Sequence, residues 1–460
     1  MTHTNRILRA GLLAALALAA CAATANAAGI NYDAGYGTKL LPTIAGSPFL
    51  PANDCESINN HSLAISAQLR GGSRPASKSR QVTAILIANT NNPGARKWRP
   101  VKSSIGEQIV GSDFSPSGDF AYVDSPVLDR KATKFVVRKV GTDGKSFPGW
   151  HDAAIRLAAP AKGGSYKDVS VLNLRDGGVL VSISRFDAVR VFRFTKSGAR
   201  ANFGVGGVVE TARMEPSSWF AANHGVTPLV ENGDGTLLVA APGRPRLPRV
   251  TSGIGLLKLD KSGVPVDGFA DHGFWTPPKT LGDETSIPSD SKTLAGETLG
   301  VIGGEGTGLP LTVLFGMRVE FTTGIEERVA TAQLSDAGLE TAFSKPFDTA
   351  TNAGDGGFPD AIPFDFKRTQ RGYTYAAAWS QLRDQNSGSS FGKVVGLGPL
   401  LAPPIRTQTI DIAKAKFMAW DFAATADGKY VYACGGVRPT HVKSGTVSKA
   451  YSPALRVFKL

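Results

Sequence analysis

Short runs in which apolar and polar residues alternate recur along this chain, and Gly- and Asp-rich turns separate them. Residues 189–198 read VRVFRFTKSG, residues 253–263 GIGLLKLDKSG, residues 329–343 VATAQLSDAGLETAF, and residues 134–150 KFVVRKVGTDGKSFPGW. Alternation of period two is the signature of a half-buried strand. In each of these stretches a polar turn containing Gly follows the run. An aromatic-Gly element comes next, such as Phe203-Gly204-Val205-Gly206-Gly207, and often another short strand.

A second unit precedes each of the first. It is seen at 113–125 (DFSPSGDFAYVDS), 171–184 (VLNLRDGGVLVSIS), 229–241 (LVENGDGTLLVAA) and 421–436 (DFAATADGKYVYACGG), with degenerate copies at 298–316 and 365–380. Each predicts a hairpin, because Gly supplies the positive φ that a tight turn demands. The two units together make four strands per repeat, with a repeat length of roughly 55–70 residues, as in propeller-type arrays. Third strands are predicted to begin near Val82, Phe135, Val189, Ile254, Val329, Lys393 and Leu455. The fold class predicted is therefore all-β: a β-propeller of about seven four-stranded blades.

Two features of the chain bear on closure. LRVFKL at the C-terminus reads as a third strand with no fourth after it, whereas residues 31–43, NYDAGYGTKLLPT, read as an aromatic-Gly element plus a fourth strand. The expectation is that residues 35–43 pair with the strand ending at Leu460 and close the ring as an N-terminal outer strand. Cys55 and Cys434 are then expected to form a disulfide that locks the closure, with both cysteines assigned to the closing blade.

Arg193-Phe194, Gly198 and Phe203–Gly207, together with the Asp-Gly hairpins, resemble the delta-60 repeat β-propellers of bacterial exported proteins. The match is best in the third and fourth repeats. Ala201 and Asn202 stand where that family usually carries an acidic residue. The resemblance implies a propeller fold. It implies no activity and no catalytic residues, because the family carries no agreed activity.

Composition changes the picture in the first thirty residues. Arg6 and Arg9 precede the apolar run 10–20, and Ala25-Asn26-Ala27 offers a small-residue cleavage site. Residues 1–27 read as a signal peptide and 28–460 as one propeller domain, periplasmic or secreted. The alternative is a lipoprotein: residues 18–21, LAAC, resemble a lipobox and would leave Cys21 lipidated and the protein lipid-anchored. No other apolar run is long enough for a transmembrane span. Export also gives Cys55 and Cys434 an oxidising compartment in which to pair.

Catalytic motifs are missing from the sequence. It has no Gly-x-Ser-x-Gly elbow, no HExxH, no Walker loop and no CxxC, and no cofactor or metal is expected. Asn232–Gly235 and Asp355–Gly357 carry calcium-type oxygens, but tight turns use the same residues. The repeat places His61 and His224 at the start of inner strands, and Asp113, Asp365 and Asp421 within inner strands. These five are the candidate polar residues of a central channel. Such aspartates could bind a cation or a sugar, or cap backbone amides of a neighbouring blade.

Charge gives the sharper clue. The chain carries a formal +13, which becomes +11 once Arg6 and Arg9 leave. Connections between second and third strands, taken as 68–80, 124–134, 184–190, 241–253, 316–328, 380–393 and 436–449, hold a net excess of 12 basic residues. Export makes nucleic acid an unsuitable partner. A one-sided basic face instead suits an anionic cell-surface polymer, lipid head groups or an acidic protein surface. The candidate anion-binding residues are Arg70, Arg74, Lys78, Arg80, Arg244, Arg246, Arg249, Arg438, Lys443 and Lys449. Two functions fit: a binding or scaffold module with this basic face, or a hydrolase or lyase acting on an acidic polysaccharide at the channel mouth. The lack of a catalytic constellation favours the first.

Overall fold

The computed structural model describes residues 31–32, 38–40, 49–59, 61–71, 80–89, 98–101, 107–126, 133–158, 166–185, 188–211, 229–243, 245, 254–277, 292–303, 311–321, 324–343, 361–368, 374–380, 391–397, 406–410, 417–424, 430–437 and 452–459. Among the described residues the fold is all-β, without helices, and the strands assemble into antiparallel sheets.

Strands β1 (Asn31–Tyr32) and β2 (Thr38–Leu40) open the chain. Sheet one is β3 (Phe49–Asn59), β4 (Ser62–Gly71), β5 (Arg80–Asn89) and β6 (Arg99–Pro100). Sheet two is β7 (Glu107–Phe114), β8 (Phe120–Pro126), β9 (Lys134–Val140) and β10 (Ala153–Arg156). Sheet three is β11 (Tyr166–Asn173), β12 (Val179–Arg185), β13 (Val189–Phe194) and β14 (Val209–Glu210). Sheet four is β15 (Leu229–Glu231), β16 (Leu237–Ala241), β17 (Gly255–Leu259) and β18 (Phe274–Trp275). Sheet five is β19 (Lys292–Ile302), β20 (Leu311–Phe321), β21 (Gly324–Leu334) and β22 (Glu340–Phe343). Sheet six is β23 (Ala361–Arg368), β24 (Thr374–Ser380), β25 (Phe391–Leu397) and β26 (Arg406–Ile410). Sheet seven is β27 (Phe417–Ala424), β28 (Tyr430–Val437) and β29 (Ser452–Lys459), with β1 and β2 both paired to β29.

Each sheet is an up-and-down meander, and every third strand expected from the sequence is found as one. The N-terminal pairing starts earlier than expected and comes in two pieces. Asn31 and Tyr32 face Lys459 and Phe458, and Thr38–Leu40 face Arg456–Ala454. First strands contact one another in succession: β3 with β7, β7 with β11, β11 with β15, β15 with β19, β19 with β23, β23 with β27, and β27 with β3.

The core lies between consecutive sheets. Ala64 and Ile85 of sheet one pack with Phe114, Phe120 and Tyr122 of sheet two. Val123, Phe135 and Trp150 of sheet two pack with Val181, Ile183 and Phe192 of sheet three. Leu180, Val191 and Phe203 meet Leu237, Val239 and Leu257, and Phe269 and Trp275 meet Val313 and Phe315. Strands β16 and β17 are therefore buried along their whole length, not on alternate residues. Their alternation marks two neighbours rather than one buried and one wet face, the situation of a sheet covered on both sides.

The Lys-Ser-Gly turns and the aromatic-Gly elements hold these joints. Backbone N–H groups of His151, Gly204 and Ala270 donate to the carbonyls of Ser197, Ser262 and Ala337 in the turn of the following sheet. Gly198, Gly263 and Gly338 occupy those turns at φ 82°, 84° and 71°. Phe203 and Phe269, at zero exposure, seal two of the joints from inside.

Cys55 and Cys434 stand at disulfide distance, with sulfurs 2.18 Å and Cα atoms 6.3 Å apart. The expectation that both belong to one blade is corrected. Cys55 lies in β3, the first strand of sheet one, and Cys434 in β28, the second strand of sheet seven, so the pair joins two adjacent sheets. Ile65, Leu86, Trp98, Tyr432 and Leu455 bury it.

Candidate functional site

The two ends of the sheets differ in chemistry. In sheets two to five the hairpin turns after the first strand and the turns after the third strand gather at one end and bond to one another. Arg175 donates from its backbone to Glu231 and from its guanidinium to the carbonyl of Asn232, 2.7 and 3.1 Å away. Arg193 reaches the carbonyl of Lys261 and also Asp176, the latter at 2.6 Å. Lys139 Nζ donates to Gly177 O at 3.0 Å and lies over the Phe147 ring. Burial lowers the Lys139 pKa and outweighs the charges of Asp119, Asp113 and Asp176, which would raise it. Asp260 Oδ1 accepts from Ser262 N, Ser262 Oγ and Val264 N. Burial would raise its pKa, but these bonds together hold it below the ordinary value.

The connections between second and third strands leave from the opposite end. Arg70 and Arg80 sit there in the final pairs of the β4–β5 hairpin, Arg70 opposite Gln81 and Arg80 opposite Gly71. Arg74, Lys78, Arg244, Arg246, Arg249, Arg438, Lys443 and Lys449 lie outside the described residues, as does Cys21. One expected connection is corrected. Residues 316–328 are mostly strand: β20 and β21 stay in register from Leu311 opposite Leu334 to Phe321 opposite Gly324, leaving only residues 322–323 between them. The sequence 70–80, 242–254 and 438–451 nevertheless contains ten basic residues and no acidic one.

Of the channel residues, His61 is not at the start of an inner strand. It sits exposed in the β3–β4 turn, its backbone N–H bonded to Asn59 Oδ1 at 2.8 Å. The pairing runs straight from Asn59 to Ser62, so the tight turn falls where a strand start was expected. His224 lies outside the described residues. Asp113, the penultimate residue of β7, spans to sheet three: its carboxylate accepts from Asn173 N at 2.6 Å and from Asn173 Nδ2 at 3.1 Å. That is the backbone-capping role, which satisfies a buried amide across the joint. Asp365 and Asp421 each stand in a first strand directly after a register shift, opposite Ala377 and Cys434. Asp54 occupies the same kind of position in β3, and Ser112 Oγ of sheet two donates to it at 3.1 Å.

The Asn232–Thr236 turn uses its oxygens internally. Asp234 Oδ1 accepts from Thr236 N and Oγ1, both at 2.7 Å, and Asn232 Nδ2 donates to Thr236. Among the described residues no group of three or more His, Cys, Asp or Glu could hold a metal ion, and no helix is long and apolar enough to cross a membrane. Asp355–Gly357 lies outside the described residues.

No family model matches the chain, and no curated protein does. It is similar to a protein of unknown function from Dyadobacter fermentans, with 11% identity over 94% of this chain and 100% of that one and a TM-score of 0.43. It is also similar to Kuenenia stuttgartiensis hydrazine synthase, with 12% identity over 84% of this chain and 92% of that one and a TM-score of 0.43. Prolyl oligopeptidase B from Galerina marginata is similar at 10% identity over 89% of this chain and 51% of that one, with a TM-score of 0.42.

One charged cluster went unnoticed in the sequence. Arg138 of β9 donates from Nε to Asp124 of β8 at 2.7 Å and from Nη1 to Asp152, ahead of β10. Burial opposes the arginine's charge, yet the Asp124 hydrogen bond and the two carboxylate charges hold its pKa above the ordinary value. The cluster ties the last three strands of sheet two together. Its signal was an Asp and an Arg inside the apolar runs FAYVDS and KFVVRKV, two residues apart once Asp124 is set opposite Val136.

Proposed function

We propose that this protein is an exported β-propeller of seven blades that acts as a binding or scaffold module and presents a basic end to an anionic partner. The single observation that carries the functional reading is the unbroken positive charge of 70–80, 242–254 and 438–451, joined to strand ends that face away from the bonded turns. The reading of a closed ring is supported by the succession of first-strand contacts that returns from β27 to β3, and by the pairing of β1 and β2 with β29. Export is supported by the leader-like residues 1–27 and by a cysteine pair at bonding distance, which suits an oxidising compartment. Like charges gathered at one end create a long-range, salt-screened attraction for polyanions.

The test compares the two ends of the molecule at equal charge. Replacing Arg244, Arg246 and Arg249 with Gln lowers affinity for immobilised heparin about threefold, because each removes a share of one attractive field. Replacing Lys145, Lys196 and Lys261, exposed in the turns of the opposite end, leaves affinity nearly unchanged. Equal losses from both sets mean that net charge alone drives the attraction. Absence of heparin binding at low salt ends the proposal.

A further inference from the structure

At the basic end of sheet two, like charges face each other. Lys134 opens β9 straight after the connection from β8, and Arg156 closes β10. The two stand directly opposite one another in the antiparallel ladder. Leu157 N donates to Thr133 O at 2.8 Å, so the adjoining pair is hydrogen-bonded. Bonded and non-bonded pairs alternate in such a ladder, which makes Lys134–Arg156 a non-bonded pair, with Cα atoms about 4.5 Å apart and side chains close. Their neighbours Phe135 and Ile155 are buried against sheet three. Lys134 and Arg156 therefore lie on the other face, and both are exposed. Like charges directly opposite one another destabilise a ladder. In sheet three the third and fourth strands carry an opposite-charge pair instead: Arg190 faces Glu210 and bonds to it at 3.0 Å. Among the described residues neither Lys134 nor Arg156 forms an ion pair. The carboxylates of Asp124 and Asp152 in the same sheet are engaged by Arg138. Arg185 of sheet three pins the strand end, donating from Nη1 to Ala158 O, two residues past Arg156, at 2.8 Å.

We infer that Lys134 and Arg156 form a seat for one tetrahedral oxyanion group, a sulfate or phosphate ester of the partner. The inference deepens the basic-end reading and rests on it. A group of this kind offers acceptor oxygens on several sides. The planar guanidinium fork of Arg156 takes two of them, and the ammonium of Lys134, a point charge, takes a third. Binding replaces the repulsion within the pair by two attractions. The ladder and the Arg185 bond already hold the backbone, so little of it has to be ordered when the group arrives.

The experiment follows heparin affinity and melting temperature together on the full chain. Lys134→Gln and Arg156→Gln each lower affinity about threefold, and the double variant about fivefold rather than by the product, because both side chains hold one group. All three variants melt at or above the temperature of the unaltered protein, since each relieves the repulsion. Arg156→Glu lowers affinity most and raises the melting temperature most, because it gives Lys134 an opposite charge. Inorganic sulfate raises the melting temperature of the unaltered protein above its value in chloride of equal ionic strength. In the double variant this difference shrinks to the general stabilisation that sulfate gives any folded chain. Variants that melt lower overturn the seat, because the pair is then structural. Unchanged heparin affinity in these variants, beside a loss from the 244–249 set, overturns the seat and leaves the basic end in place. Equal sulfate effects on the unaltered protein and the double variant overturn the oxyanion group as its occupant. No heparin binding at low salt overturns the basic-end reading itself, and the seat with it.

Discussion

Gly263 and Gly206 both hold a positive φ, at 84° and 63°, yet their surroundings differ. A Cβ on Gly263 would lie 2.6 Å from Gly204 N and 2.9 Å from a Phe203 ring carbon, whereas one on Gly206 would meet nothing within 4 Å. Gly206→Ala therefore carries only the conformational penalty of about 1 kcal/mol. Gly263→Ala adds a clash with the backbone of the previous sheet, which cannot yield without breaking the Gly204–Ser262 hydrogen bond, and its total cost is about 3 kcal/mol. Urea unfolding of the two variants measures the difference. Equal costs would show that the turn does not dock as described. At this scale the sequence spoke clearly where chemistry was local. The glycine of Lys-Ser-Gly was legible as a turn residue, but what it touches, His151, Gly204 or Ala270 of another repeat, was not. Asp113 was legible as an inner-strand aspartate with two open roles, and only Asn173 across the joint selects the capping one.

Strand elements follow from alternation and from Gly-containing turns, and here sequence and structure agree on the hairpins and on all third strands. They part at strand ends. Residues 316–328 looked like a polar connection because they carry Arg318, Glu320, Glu326, Glu327 and Arg328. Charges on the outer part of a long hairpin remain compatible with a ladder, because pairing uses backbone groups and not side chains. The same ladder logic applies to β1 and β2, which cover an edge of β29 that would otherwise offer unpaired backbone groups to another chain. A chain beginning at residue 44 is expected to melt at lower temperature and to associate through that edge. A synthetic peptide of residues 28–46 is expected to restore the melting temperature and the monomer. Scanning calorimetry and light scattering check both, and an unchanged melting temperature would mean that the pairing adds little.

On the scale of the molecule, the cysteine pair joins residues 379 positions apart. Constraining so long a loop stabilises chiefly through the unfolded state, by about 2–5 kcal/mol for native disulfides. The oxidised protein is expected to unfold at higher denaturant than the reduced protein by that margin, and non-reduced peptide mapping should recover Cys55 linked to Cys434. Two free thiols in protein purified without reductant, or equal midpoints, would count against the staple. The overall basic charge, the repeat of four strands and the turn chemistry were all determined by the sequence itself, because each depends on composition or on residues near one another along the chain. Which sheets adjoin, that Cys55 belongs to the sheet beside Cys434's rather than to the same one, and that His61 lies in a turn were decided only in three dimensions. Those facts depend on contacts between residues tens to hundreds of positions apart. The same period-two pattern serves a strand with one covered face and a strand buried between two neighbours, so packing, not pattern, had to choose.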